Sequence, residues 1–327
     1  MRAHQKFLRS LPGAVLLAAA MATVHAQDYP NKPIRMIVGF PPGGGADIVA
    51  RIVAAPLAER LATQIVIDNR PGAGGTTGTG VAAKSAPDGY TLLFSTTGFT
   101  INPNLYKSVP YDPVKDFAPI AQVGSSPFVL VVLATMSVNT LQEFIALAKA
   151  KPGSLNYSTG GNGSTGHLSG ELFKSMAKVE IQHVPYKGLA PALTDLLGGR
   201  VQMTMSSLPS CINYMKAGRM KALAVTTAKR ISLIPDIPTM SESGLPGYSV
   251  DQWYGLLTAA GTPASVVQKL HRALAGYLQK PDAQLTEHFA VLGIVPTVTT
   301  PREFTAMIKS DLAQWARVVK ESGARVD

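Results

Sequence analysis

Residues 34–51 read IRMIVGFPPGGGADIVAR: a short apolar run, a Pro-Pro-Gly-Gly-Gly loop, then Asp47 opening a segment with Ile48, Ile52, Val53, Leu57 and Leu61 at helical spacing. This is a strand, a loop and a helix. Glycines without a Cβ let main-chain N–H groups approach a bound group closely. The first N–H groups of the helix have no partner within it and lie at its positive dipole end. An anion or carboxylate fits there, with Phe40, Pro42, Gly43, Gly44, Gly45 and Asp47 as candidate binding residues. Asp47 reads as an N-cap, with a general base as the alternative.

Outward from this unit, short β-like runs alternate with helix-like segments, the pattern of an α/β protein with largely parallel sheets. Strands are predicted at 34–38, 64–68, 91–95, 128–133, 155–158, 201–205, 222–226 and 254–258. Thr140-Leu141-Gln142-Glu143 offers a capping box before Phe144, and Pro56 is expected to bend or shorten the first helix. Extended runs at 120–132 and 251–262 each join regions that hold a complete alternating pattern, which suggests two lobes. Residues 27–125 with 252–327 form the first and 126–251 the second, and a ligand would lie between them.

A second loop of the same build, Ser158-Thr159-Gly160-Gly161-Asn162-Gly163-Ser164-Thr165-Gly166, lies between a predicted strand and a predicted helix. Gly161, Gly163 and Gly166 satisfy G-x-G-x-x-G, but no acidic residue is clearly placed about 20 residues on to hold a ribose. The favoured reading is a polar cradle of main-chain N–H groups with the hydroxyls of Ser164 and Thr165. A third polar loop, containing Ser95, Thr96 and Thr97, and a fourth at 71–77 add to the same sheet edge, where open α/β sheets bind ligands. Phe40 and Phe99 are candidate apolar walls.

With 46% hydrophobic and 15% charged residues in 327, the chain can bury a sizeable core. Arg2, Lys6 and Arg9 precede an apolar run ending Val24-His25-Ala26, which reads as a signal peptide over 1–26, cleaved after Ala26. The compartment this implies is the periplasm or its equivalent. Loss of those three bases lowers the formal charge from +10 to +7. The remaining bases are scattered, so nucleic-acid binding is a poor reading despite the charge. The single cysteine, Cys211, cannot form an internal disulfide and reads as a small buried hydrophobe.

Catalytic signatures are missing: there is no G-x-S-x-G elbow, no H-E-x-x-H helix and no nucleophile motif around Cys211. His167 and His183 have no metal-ligand spacing and read as structural, so no metal is expected.

Further motifs carry a resemblance. Tyr29-Pro30-Asn31-Lys32-Pro33-Ile34, the 40–47 loop, Asn69-Arg70-Pro71-Gly72-Ala73-Gly74-Gly75, Asp88-Gly89-Tyr90-Thr91-Leu92, the 161–168 loop, His183-Val184-Pro185-Tyr186-Lys187-Gly188 and Trp253-Tyr254-Gly255-Leu256 occur in order along the chain. In this the sequence resembles the Bug family, the extracytoplasmic solute receptors of tripartite tricarboxylate transporters. The resemblance implies a two-lobe periplasmic binding protein fold of Venus flytrap type II, each lobe a mixed, mostly parallel sheet flanked by helices. It implies a small carboxylate or amide held by the loops at 40–47 and 161–167, including Gly161, Gly163, Ser164, Thr165 and His167, often through bridging water. Tyr186 and Lys187 border the cleft or the surface, and specificity falls to the far end, at 95–100 and around Ser206. It further implies membrane transporter subunits as partners, a monomer, no cofactor and no chemistry on the ligand. A secreted enzyme using Asp47 or His167 as base, and a receptor signalling to a membrane sensor, are the alternatives.

Overall fold

In the computed structural model, which describes residues 29–322, 324 and 325, each apolar run that leads into a glycine loop forms a strand. The expectation of a signal peptide at 1–26 lies outside the described residues. Strand β1 (Ile34–Val38) is central to a parallel trio: Met36 stands opposite Ile67 of β2 (Ile65–Asn69) and Leu92 of β3 (Thr91–Thr96). Its residues other than Arg35, which pairs with Asp68 of β2, are apolar because helices cover both faces of such a sheet. Helices α1 (Gly45–Leu61), α2 (Thr76–Ala83) and α3 (Gly98–Leu105) follow these strands.

Strand β4 (Phe117–Leu133) joins the halves of the molecule. Its first part lies antiparallel to β9 (Asp251–Ala259), which pairs in turn with β3. Beyond Pro127 the same strand enters a second sheet, pairing Phe128–Val132 with β7 (Met203–Ser207) on one side and its end with β8 (Met220–Val225) on the other. There β5 (Asn156–Thr159) runs parallel to both β6 (Gln182–Pro185) and β7. Helices α4 (Leu141–Ala150), α5 (Thr165–Ala177), α6 (Leu189–Leu197) and α7 (Leu208–Lys216) surround this sheet. The chain closes with α8 (Ala264–Leu278), α9 (Ala283–Leu292), a two-residue β10 (Val295–Pro296) on β4, and α10 (Pro301–Ser322).

The run predicted as a strand at 128–133 and the predicted crossing at 120–132 are thus one 17-residue strand. β6 and β10 were not predicted, since His183-Val184 and Val295 are too short an apolar signal between polar neighbours and prolines. Pro56 does not shorten α1, which continues to Leu61. The Thr140 hydroxyl accepts from the Glu143 N–H as expected, but the Glu143 carboxylate reaches the Asn139 N–H instead of that of Thr140. Cys211 is fully buried.

One core lies beneath β1, with Val53, Leu57, Phe94 and Leu274. Another fills the second sheet, with Phe128, Phe144, Leu168 and Phe173. α10 bridges them: Trp315 and Val318 pack into the second core, whereas Phe304 and Ile308 join Phe99, Phe117 and Trp253 on the other face of the first sheet. Phe99, a candidate wall of the cleft, is therefore a core residue. The Trp253 indole N–H donates to Asp311 of α10 at 2.6 Å, fixing the helix to β9.

Gly255 of β9 faces the Phe304 ring, where a Cβ would lie 2.8 Å from Cε1. Gly255→Ala should therefore destabilise the protein by about 1–3 kcal/mol through overpacking. In urea denaturation, Phe304→Leu added to it should recover part of the loss; additive losses would place the strain elsewhere.

Candidate functional site

The C-terminal ends of β1 and β3 in one sheet and of β5, β6 and β7 in the other open toward the same cleft. This cleft lies between the sheets and remains partly open to solvent. Four helix N-termini supply much of its wall: Gly45 and Ala46 of α1, Ser164 and Thr165 at α5, Leu189 and Ala190 of α6, and Ser207 at α7. First-turn N–H groups have no acceptor inside their own helix. Only α5 has a side-chain cap, Ser164 Oγ accepting from the His167 N–H at 3.2 Å. Phe40, Pro41, Pro42, Phe128 and Leu189 give apolar walls, and among the described residues no charged side chain lines the cavity. Thr165 is 1% exposed, and its Oγ1 is buried with no hydrogen-bond partner.

The loop that carries the α1 cradle is fixed from behind. Asp47 Oδ2 accepts from the Gly43 N–H at 3.0 Å, and Arg51 donates to both carboxylate oxygens at 3.0 Å each. The Asn69 amide donates to Asp47 Oδ1 and to the Phe40 carbonyl, both at 2.9 Å. Burial pushes the Asp47 pKa up, but Arg51, the Gly43 N–H and Asn69 together outweigh it and hold the carboxyl below its ordinary value. Asp47 is therefore a structural anion, already saturated with donors.

Behind α5 runs a ring stack. His167 lies 4.3 Å from His183, and His183 lies 4.7 Å from Tyr157. His167 Nδ1 accepts from the Gly163 N–H at 3.3 Å, which makes Nε2 the protonated nitrogen. Burial lowers the pKa of His167 to about 4, and burial followed by the neighbouring His167 lowers that of His183 to about 3. Burial favours the neutral form of both rings, and His167, a candidate binding residue, does not line the cavity.

Of the predicted binding residues, Phe40, Pro42, Gly44, Gly45, Thr96, Ser164 and Thr165 line the cavity. Gly43 lies behind it in the turn held by Asp47. Ser95 is opposite Gly255 in the sheet, and the Thr97 hydroxyl accepts from the Trp253 N–H at 3.0 Å. Gly161, Tyr186 and Lys187 line an outer, solvent-open chamber that shares Phe40, Pro41, Gly160 and Gly188 with the inner one, and among the described residues Lys187 is the only charged one lining it. Gly163 abuts Asn102 and Tyr106 of the first lobe. Ser206 is buried with its hydroxyl on the Ser207 carbonyl, and Ser207 faces the cavity in its place. Strand alternation makes a one-residue displacement a change of face. Sequence reasoning also missed Gln252 at the start of β9, and Gly188, Leu189 and Ala190, which follow the Pro-Tyr-Lys-Gly motif; reading β6 as a strand would have placed the latter at a strand-to-helix turn.

Two α/β lobes around a cavity walled by helix N-termini define a solute-binding receptor of the two-lobe periplasmic binding protein fold. The chain belongs to the tripartite tricarboxylate transporter family receptors, whose profile matches residues 49–324. It is 37% identical over 314 residues to Protein BugT of Bordetella pertussis, covering 95% of this chain and 96% of that one. An R. palustris protein solved with adipate superposes with a TM-score of 0.88 at 37% identity, covering 91% of this chain and 100% of that one. MatC from Rhodopseudomonas palustris, solved with bound malate, gives 0.85 at 30% identity, covering 89% and 100%.

The low histidine pKa values give a pH dependence with a definite sign. Below an ordinary value of about 6.5 the unfolded chain takes up protons that the folded chain does not. Stability should thus fall as pH drops from about 6.5 toward about 4, where His167 itself titrates. Urea unfolding at pH 7 and pH 4.5 measures this. His183→Gln should flatten the profile; an unchanged slope in that variant would remove the stack as its source.

Proposed function

We propose that the protein is a periplasmic receptor that captures a small carboxylate, or the corresponding amide, between its lobes and delivers it to membrane transporter subunits. The observation that carries this reading is Thr165 Oγ1, buried without a partner at the N-terminus of α5 in a cavity that no charged side chain lines. A carboxylate oxygen placed there accepts from that hydroxyl and from first-turn N–H groups, and its charge is opposed by helix dipoles instead of a buried cation. Neutral donors also accept an amide oxygen. The dicarboxylates in the two R. palustris structures support the class of ligand.

Binding occurs without chemistry. Among the described residues, the inner cavity lining offers no carboxylate, imidazole or thiol. Asp47 and His167, the two candidate bases, hold loops in place, and Cys211 is buried with its thiol pushed up to about 12 by burial. The lobes divide as 27–125 with 252–327 and as 126–251, a reading supported by the passage of β4 from one sheet to the other at Pro127–Phe128.

Thermal-shift measurements on refolded protein with adipate, malate, citrate, glutamate and nicotinamide test the reading. At least one of them should raise Tm, with the ligand recovered unchanged by NMR after hours. Thr165→Val should weaken that ligand about 10- to 100-fold, the loss of one hydrogen bond to a charged group. Absence of any shift, or turnover of the ligand, would overturn the proposal.

A further inference from the structure

The lobes also meet beside the inner cavity, where Gly74, Asn102 and Tyr106 of the first lobe approach the 162–163 turn, and Gly74, Tyr106 and Asn162 line the outer chamber. Gly74, in the 3-10 turn Ala73–Gly75 after β2, has φ +62°, and a Cβ there would lie 2.7 Å from the Gly163 carbonyl carbon and against the Asn162 carbonyl oxygen. Gly163 has φ +75°, and a Cβ on it would lie 2.6 Å from Tyr106 Cε2 and against Asn102 Oδ1. The Tyr106 hydroxyl donates to the Asn162 carbonyl at 2.7 Å, and the Asn102 amide donates to the Gly74 carbonyl at 3.1 Å. Asn102 Oδ1 is buried without a partner.

We infer that Gly74, Asn102 and Tyr106 form a closure seam against the 162–163 turn, and that this seam sets ligand residence time without touching the ligand. Three features carry the inference. The contacts join the β2 and α3 side of the first lobe to the turn that leads into Thr165, so they position the α5 cradle. They consist of a cross-lobe hydrogen bond from Tyr106 and close backbone contact at the edge of the apolar packing of Ile101 and Leu105 with the second core, so the seam is the polar margin of the contact between the lobes. Asn102 Oδ1 has no acceptor role in the closed seam, whereas water would serve it in an open one. Closure therefore combines a favourable bond from Tyr106 with an unfavourable desolvation at Asn102, and the ligand decides the balance.

The inference rests on the carboxylate reading, and its test separates the two. The probe is whichever of adipate, malate, citrate, glutamate or nicotinamide gives the largest thermal shift with the unaltered protein. Stopped-flow binding and small-angle X-ray scattering are then compared for the unaltered protein, Tyr106→Phe and Gly74→Ala. Tyr106→Phe should raise the dissociation rate about 3- to 10-fold, the worth of one ordinary hydrogen bond, with the association rate nearly unchanged. Gly74→Ala should keep the native far-UV circular dichroism, lose the ligand-induced contraction seen in the unaltered protein and bind more than about 10-fold more weakly. Dissociation unchanged in Tyr106→Phe, or full contraction and affinity in Gly74→Ala, overturns the seam while leaving carboxylate binding intact. If none of the five probes binds the unaltered protein, the carboxylate reading fails and the seam's role fails with it.

Discussion

An anionic group can be held without a counter-cation only if several main-chain N–H groups point at one place, and in this molecule four helix N-termini converge on one cleft. A lone helix N-terminus supplies about half a unit of positive charge and a few free donors. Convergence of α1, α5, α6 and α7 needs strand-to-helix turns from both sheets at a common edge. The long β4 and antiparallel β9 make this possible, because one strand belongs to both sheets and brings their loop-bearing ends face to face.

An arginine in the cavity would make a stronger single contact, but it would have to be desolvated whenever the lobes close, a cost of several kcal/mol per ion that only a well-matched ligand offsets. Neutral donors avoid that cost and accept carboxylate and amide alike. Discrimination then depends on the shape of the walls and on how completely the lobes close. Two buried oxygens bear on closure in opposite ways. Both Thr165 Oγ1 and Asn102 Oδ1 are buried without a partner; in the proposed reading a ligand supplies the first, whereas Asn102 does not line the inner cavity. An unsatisfied buried group costs about 1–3 kcal/mol, so the closed form is incomplete without ligand at the first atom and resisted at the second.

The unit at 34–51 was legible because three independent signals agreed: an apolar run, glycines and helical spacing. The same agreement made the 158–167 loop readable. Legibility ended where structure depends on partners distant in sequence. Nothing local distinguishes a strand that stops at the lobe boundary from one that crosses it, so β4 read as a crossing and a separate strand. Ser206 and Ser207 differ only in which face of β7 they occupy, and pairing with β4 decides that. Gly188, Leu189 and Ala190 reach the cavity because β6 pairs with β5, a pairing that its four residues do not announce. Asp47 showed its helix position plainly, but its engagement with Arg51 and Asn69 required the fold to bring residue 69 beside it.

The placement of charge follows from the same constraint. Asp47 and Arg51 stand behind the first cradle loop, and Glu171, bonded by Tyr157 and Lys174, stands behind the second beside the two histidines. Asp47 holds the Gly43 backbone and His167 that of Gly163, and among the described residues no ionisable group lines the inner cavity. The two loops are therefore set by interactions within the protein, while the apolar side chains of Phe40, Phe128 and Leu189 that line the cavity carry no role in that scaffold's hydrogen bonding. In the proposed reading, substitution at those walls changes which solute fits without disturbing the main-chain donors, so a common cradle and a variable specificity are compatible in one fold.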